Sequence, residues 1–197
     1  MERRIVIVVA GMPGSGKSVV SRAAKELGLP VYVMGDVVRE EAARRGLEPT
    51  PANLNMVAKS LREEYGPTVV AERTAQKFQE GEEAVLVDGV RSLDEVRVFQ
   101  RYGDVVIVAV HASPRTRFER IRKRNRPGDP RTWEEFVSRD MTELGFGIGN
   151  VIALADYMIV NEEKSLDEVL EETRILLQEK ILGKRGLGHS NRPRRHW

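Results

Sequence analysis

The chain has 197 residues, enough for one well-cored domain with inserted arms, and its 41% hydrophobic and 31% charged residues are an ordinary globular composition. No apolar run approaches the ~18 residues of a membrane span, and the absence of cysteine excludes disulfides, thiolate metal sites and cysteine nucleophiles. The net charge of +2 is uneven: all 30 acidic residues stand at or before Glu179, whereas residues 183–197 carry Lys184, Arg185, Arg192, Arg194 and Arg195 with nothing to offset them.

In chain order, Glu2, Arg3 and Arg4 run straight into an apolar stretch with no small-residue cleavage site, so no signal peptide is expected and a cytoplasmic protein is. Ile5–Ala10 reads as a fully buried strand. Residues 18–27 read as a helix with Val19, Val20, Ala23, Ala24 and Leu27 on one face. Between them lies Gly11-Met12-Pro13-Gly14-Ser15-Gly16-Lys17-Ser18, which fits G-x-x-x-x-G-K-[ST] at every fixed position in the strand-to-helix context that the pattern needs. Glycines let successive backbone N–H groups turn toward phosphate oxygens, and the helix N-terminus adds its dipole. Lys17 is expected to reach the β- and γ-phosphates of ATP, and the Ser18 hydroxyl to help hold Mg²⁺.

Gly28-Leu29-Pro30 breaks the first helix, and residues 31–34 form a short second strand. Gly35-Asp36 then precedes a helix over 37–45. Glu48-Pro49-Thr50-Pro51 interrupts, because each proline restricts the residue before it. Helices are expected from Asn53 to Gly66-Pro67 and over 68–79. Residues 84–89 read as a buried strand ending in Asp88-Gly89. Ser92 caps a helix over 93–101, with Glu95 at the capping-box position. A valine-rich strand at 104–111 follows, then an arginine-loaded helix capped by Ser113-Pro114. The loop at 125–131 and a helix from Thr132 to Met141 come next. Gly145-Phe146-Gly147-Ile148-Gly149 reads as flexible. A last strand falls at 155–160 and a terminal helix at 165–182, before a basic tail expected to be disordered. Five strands alternating with helices predict a three-layer α/β/α fold around a parallel sheet of five strands.

Such a topology gathers the carboxyl ends of the strands on one edge, where ligands bind. Asp88 there suits the Mg²⁺ shell, or is simply a strand-ending turn. Asp36 either caps the next helix or orients an acceptor hydroxyl, and Arg39 is either a solvated charge or, with Arg91, a grip on an acceptor phosphate. The arginine run is read as a lid at about 115–140, with Arg120, Arg124 and Arg139 closing over the transferred phosphoryl group; a solvated face with a nucleic-acid partner is the alternative. His111 is given no role, and Trp133 is read as packing.

These residues resemble a family. The chain looks like a P-loop nucleotide kinase of the adenylate kinase and dephospho-CoA kinase group, and more closely like the archaeal family of adenylate-kinase-like ATP-binding proteins. Gly35-Asp36-Val37-Val38-Arg39 is similar to the adenylate kinase acceptor motif G-D-x-x-R, whose arginine grips the AMP phosphate. Asp88-Gly89-Val90-Arg91 resembles D-G-F-P-R shortened by one residue. Ala155-Asp156-Tyr157-Met158-Ile159-Val160-Asn161 resembles the A-D-x-x-I-x-N segment of dephospho-CoA kinases, near the adenine of ATP. The resemblance covers residues 4–180 and implies a kinase domain over 1–182, a helical acceptor arm at about 36–80, Mg²⁺ and ATP, and a small phosphorylated acceptor. A dephospho-CoA kinase activity is a second reading. An ATP-binding regulatory ATPase whose lid or tail contacts RNA or a protein is a third.

Overall fold

The computed structural model describes residues 3–183. The tail beyond them, with its expected disorder and nucleic-acid role, lies outside the described residues. Strands β1 (Ile5–Ala10), β2 (Val31–Val33), β3 (Ala84–Asp88), β4 (Asp104–His111) and β5 (Tyr157–Val160) form one all-parallel sheet in the order β2-β3-β1-β4-β5. Strand β1 lies at the centre, with Val9 opposite Asp88 on one side and Val108 on the other. The strand order reverses across β1, and the crevice at such a switch point is where open α/β sheets take ligands.

Side chains of β1 alternate between the two faces, and both faces are covered, which is why the strand reads as an unbroken apolar run. Val6, Val8 and Ala10 join a core completed by α2 (Met34–Arg44), α3 (Pro51–Tyr65), α4 (Val69–Ala75), α5 (Leu93–Gln100) and α8 (Ile148–Ala153). Ile7 and Val9 join the opposite core, with Val19, Val20, Ala23 and Ala24 of α1 (Ser18–Glu26) and Val169 and Leu170 of α9 (Leu166–Ile175). The terminal helix widens into a π-helical stretch at Leu176–Leu182, and Leu177 and Ile181 keep that end buried. Helices α6 (Pro114–Arg124) and α7 (Trp133–Gly145) stand over the ligand edge, joined by the loop at 125–132. Among the described residues no helix is long and apolar enough to cross a membrane.

The arm formed by α2, α3 and α4 is fastened by a buried carboxylate. Glu41 is 5% exposed and takes ion pairs from Arg44, Arg45 and Arg73 at 2.7, 2.7 and 3.4 Å. Hydrogen bonds from Arg44, then from Arg45, hold its carboxyl at about 2, against an ordinary 4.5.

Several boundaries differ from the sequence reading. Helix α2 opens at Met34, straight from β2, so Asp36 sits inside its first turn and is not its N-cap. Extended Val33 caps it, and Asp36 instead complements the positive end of the helix. Helix α3 begins at Pro51, because Thr50 Oγ1 accepts the Asn53 N–H at 3.2 Å and proline suits the first helical position. Helix α4 stops at Ala75, short of the expected residue 79. The glycine segment read as flexible is built structure: α7 runs on to Gly145, Gly147 turns the chain at φ +96°, and α8 follows. Burial of Ile148 and Val151 pins it to the sheet.

Candidate active site

The loop between β1 and α1 curls through two left-handed glycines, Gly14 at φ +83° and Gly16 at φ +96°. Ser15 N–H closes the curl onto Met12 O at 3.1 Å. Among the described residues, the N–H groups of Gly14, Gly16, Lys17 and Ser18 have no protein acceptor, which leaves an anion-binding nest at the start of a helix. Glycine is required at Gly11 too, since a Cβ there would stand 2.6 Å from Val110 O and 2.7 Å from Ser15 Oγ. The Ser15 hydroxyl is fully buried with no partner among the described residues.

Lys17 Nζ donates to Gly11 O at 2.7 Å, folding the ammonium back across the mouth of the nest. Burial pushes its pKa down. Asp88 and then Glu143 pull it up, and Arg91 and Arg124 push it down again. The groups acting on this ammonium thus come from β1's neighbour strand, from the loop after it, and from both lid helices.

Asp88 ends β3 level with Val9, and its Oδ2 accepts the Ser21 hydroxyl at 3.2 Å from one turn into α1. Ser18 is exposed at the first turn of the same helix. A carboxylate and a hydroxyl beside a phosphate nest are the hard oxygen donors that Mg²⁺ takes. Among the described residues no three or more His, Cys, Asp or Glu form a metal site. Mg²⁺ ordinarily takes one or two protein oxygens and fills its shell with substrate phosphates and water.

The arginines of α6 and α7 fall into three settings. Arg120 docks on the phosphate loop: its Nη2 donates to Asn161 O at 2.9 Å and to Asn161 Oδ1 at 3.2 Å, and its Nη1 reaches Ser15 O at 3.5 Å. Arg124 grips Asp129 with two 2.8 Å hydrogen bonds, and Arg139 of α7 reaches the same carboxylate at 3.2 Å. Asp129, 8% exposed at its side chain, is held at about 2 chiefly by Arg124, against an ordinary 3.8. Arg117 is buried, making a two-pronged pair with Asp140 at 2.9 and 2.5 Å and donating to Pro13 O at 3.1 Å. The lid loop also reaches the arm, for a Cβ on Gly128 would lie 3.1 Å from Pro51 Cγ.

Of the three residues expected on the acceptor side, Asp36 and Arg39 pair with each other on the outer surface of α2. Arg91 is held separately, by Glu143 of α7. His111 is exposed at the end of β4, and Trp133 packs against Phe118 and Phe136. Sequence reasoning missed Ser21, Arg117, Asp129, Asp140 and Glu143. The legible signal was the i, i+3 spacing of Asp140 and Glu143, which puts two carboxylates on one face of α7.

Sheet order, phosphate nest and strand-end carboxylate together define a P-loop protein of the kinase-type three-layer fold. The family model of an AAA domain matches residues 10–137. The chain is 70% identical over 175 residues to a UPF0200 protein of Hyperthermus butylicus, an alignment that spans 88% of this chain and 94% of the relative. It belongs to the UPF0200 family. Among solved structures, it shares its fold with a shikimate kinase of Acinetobacter baumannii in complex with shikimate, at a TM-score of 0.57 and 16% identity over 91% of this chain and 96% of that one. A gluconokinase of Sinorhizobium meliloti is similar at a TM-score of 0.55 and 19% identity, over 96% and 100% of the two chains.

Proposed function

We propose that this protein is an ATP-dependent phosphotransferase that moves the γ-phosphoryl group of Mg-ATP to a small phosphorylated acceptor of the nucleotide type. The observation that carries the reading is the nest of N–H groups at Gly14, Gly16, Lys17 and Ser18, with Lys17 poised across its mouth. The three-layer fold shared with a shikimate kinase and a gluconokinase supports it.

In this reading the loop amides and Lys17 hold the β- and γ-phosphates, and Lys17 leaves Gly11 O to do so. Mg²⁺, when bound by Ser18 and Asp88, supplies charge neutralisation on those phosphates. Arg91 and Arg39 receive the acceptor's phosphate, Arg39 by releasing Asp36, which is then free to orient the acceptor's attacking oxygen. Arg120 already touches the loop. Arg124 and Arg139 swing from Asp129 to the transferred group as the lid closes, excluding water while they spread positive charge over it.

One observation favours a dephospho-CoA kinase-like variant of the same chemistry. Asn161, the last residue of the segment that resembles those enzymes, donates from Nδ2 to Ser15 O at 2.9 Å and so borders the phosphate loop.

Incubation with Mg²⁺, γ-labelled ATP and, separately, AMP, CMP, UMP, dAMP or dephospho-CoA tests the proposal. Label transferred to one of them establishes the reaction and its acceptor. Label released only as phosphate turns the reading to a regulatory ATPase, and unchanged ATP affinity and turnover in Lys17→Ala refutes the role given to the loop.

A further inference from the structure

Arg91 leaves the loop after β3 half exposed, and the end of α7 holds it in two ways. Glu143 Oε2 lies 3.4 Å from Arg91 Nε, and the Glu143 side chain is only 13% exposed. The guanidinium carbon stands 5.7 Å from the centre of the Phe146 ring. An anion supplied by the protein itself therefore sits on the cation assigned above to the acceptor's phosphate.

The pair is loose. Nε to Oε2 is 3.4 Å, and among the described residues no hydrogen bond joins the Arg91 guanidinium to Glu143, where a well-matched anion would take two parallel bonds. A phosphate monoester carries roughly −1.5 to −2 charges and three strong acceptor oxygens at neutral pH, so it gains more from the fork than a carboxylate does. A free carboxylate gains only what Glu143 already provides, and it competes with a tethered group of high effective concentration. An uncharged hydroxyl gains less still.

We propose that Glu143 is the specificity-determining residue of the acceptor seat: it occupies Arg91 in the empty enzyme and yields only to a dianionic phosphate monoester. This rests on the reading of Arg91 as an acceptor-binding residue. It favours nucleoside monophosphate-type acceptors over dephospho-CoA, whose two phosphates are each esterified once and joined by an anhydride, so that neither is a dianionic monoester.

The test fills the phosphate loop with Mg²⁺ and a saturating non-hydrolysable ATP analogue, then titrates inorganic phosphate and acetate at pH 8 into wild type, Glu143→Gln and Arg91→Ala, followed by NMR chemical shifts. Wild type should bind phosphate but not acetate. Glu143→Gln should bind phosphate roughly three- to fivefold more tightly, the scale of a partly exposed ion pair, and should admit acetate. Glu143→Ala should do the same, which covers the case of a poorly folded Gln variant. Phosphate affinity unchanged or weakened in both Glu143 variants overturns the proposal, as does equal acetate binding by wild type. Phosphate binding that survives Arg91→Ala overturns the acceptor seat itself; binding lost in Arg91→Ala with no gain in the Glu143 variants removes Glu143's role alone.

Discussion

The side-chain amide of Asn161 donates to the carbonyl of Ser15 at 2.9 Å, joining the residue after β5 to the phosphate loop across 146 positions of sequence. The same amide accepts Arg120, so one asparagine ties the last strand, the loop and the lid stem together. Asn161→Ala removes both bonds and should cost about 1–2 kcal/mol, at ~1 kcal/mol per hydrogen bond. Thermal denaturation measures this; a cost near zero would mean that water replaces the amide without loss.

Gly16 is held at φ +96°, and a Cβ there would run into Asn161 Nδ2. Gly16→Ala combines that overlap with a backbone conformation costing about 1–3 kcal/mol for residues other than glycine. Nucleotide affinity should fall with stability, because the strained residue carries one of the inward N–H groups. Pairing Gly16→Ala with Asn161→Ala should relieve the overlap and restore part of the stability, leaving the backbone strain.

Arg117 and Asp140 form the most enclosed ion pair at the lid, 4% and 14% exposed at their side chains, and Arg117 also lies over the Phe136 ring at 4.9 Å. Removing one partner of a buried pair leaves an uncompensated charge, so Asp140→Ala should destabilise by about 3–5 kcal/mol. Denaturant unfolding gives the value. A loss below about 1 kcal/mol would show that the site is effectively wet.

Glu41 provides a pH signature. Its carboxyl lies at about 2 in the fold against an ordinary 4.5, so its stabilisation is complete above about pH 4.5 and disappears as pH falls toward 2. Glu41→Gln should therefore lower Tm most near neutral pH, with the gap to wild type narrowing between pH 4.5 and 2. A gap that stays constant across that window would assign the effect to packing.

The Ser21 hydroxyl donates to the carboxylate proposed to serve Mg²⁺. Ser21→Ala should leave the fold intact and raise the Mg²⁺ concentration for half-maximal ATP turnover a few-fold, the effect expected from a partner that orients a metal-ligating carboxylate. Unchanged Mg²⁺ dependence would remove Ser21 from that role.

Much of the architecture is local in origin and so is legible from the chain alone. An apolar run of strand length rich in β-branched residues, such as Ile5–Ala10, reads as a strand buried on both faces, and the glycine pattern from Gly11 to Ser18 follows from which backbone angles each residue tolerates. Caps at Ser92 and Ser113 were readable for the same reason, since each bonds within three residues of itself. The start of α2 was not, because extended Val33 caps it with no side-chain signal.

Charge partners were decided only by the tertiary structure. Arg91, Arg117, Arg120, Arg124 and Arg139 are indistinguishable as sequence, yet one faces Glu143, one is buried on Asp140, one docks on Ser15 and Asn161, and two share Asp129. Long cationic side chains reach several ångströms in any direction, so their partners depend on which carboxylates the folded backbone brings within reach. Sequence determined the sheet, its phosphate loop and its helix caps, where the physics is short-ranged; the assembled fold determined which charge answers which, because those contacts, whether 5 residues apart as in Arg124–Asp129 or 105 as in Arg120–Ser15, depend on where the packed elements place each side chain.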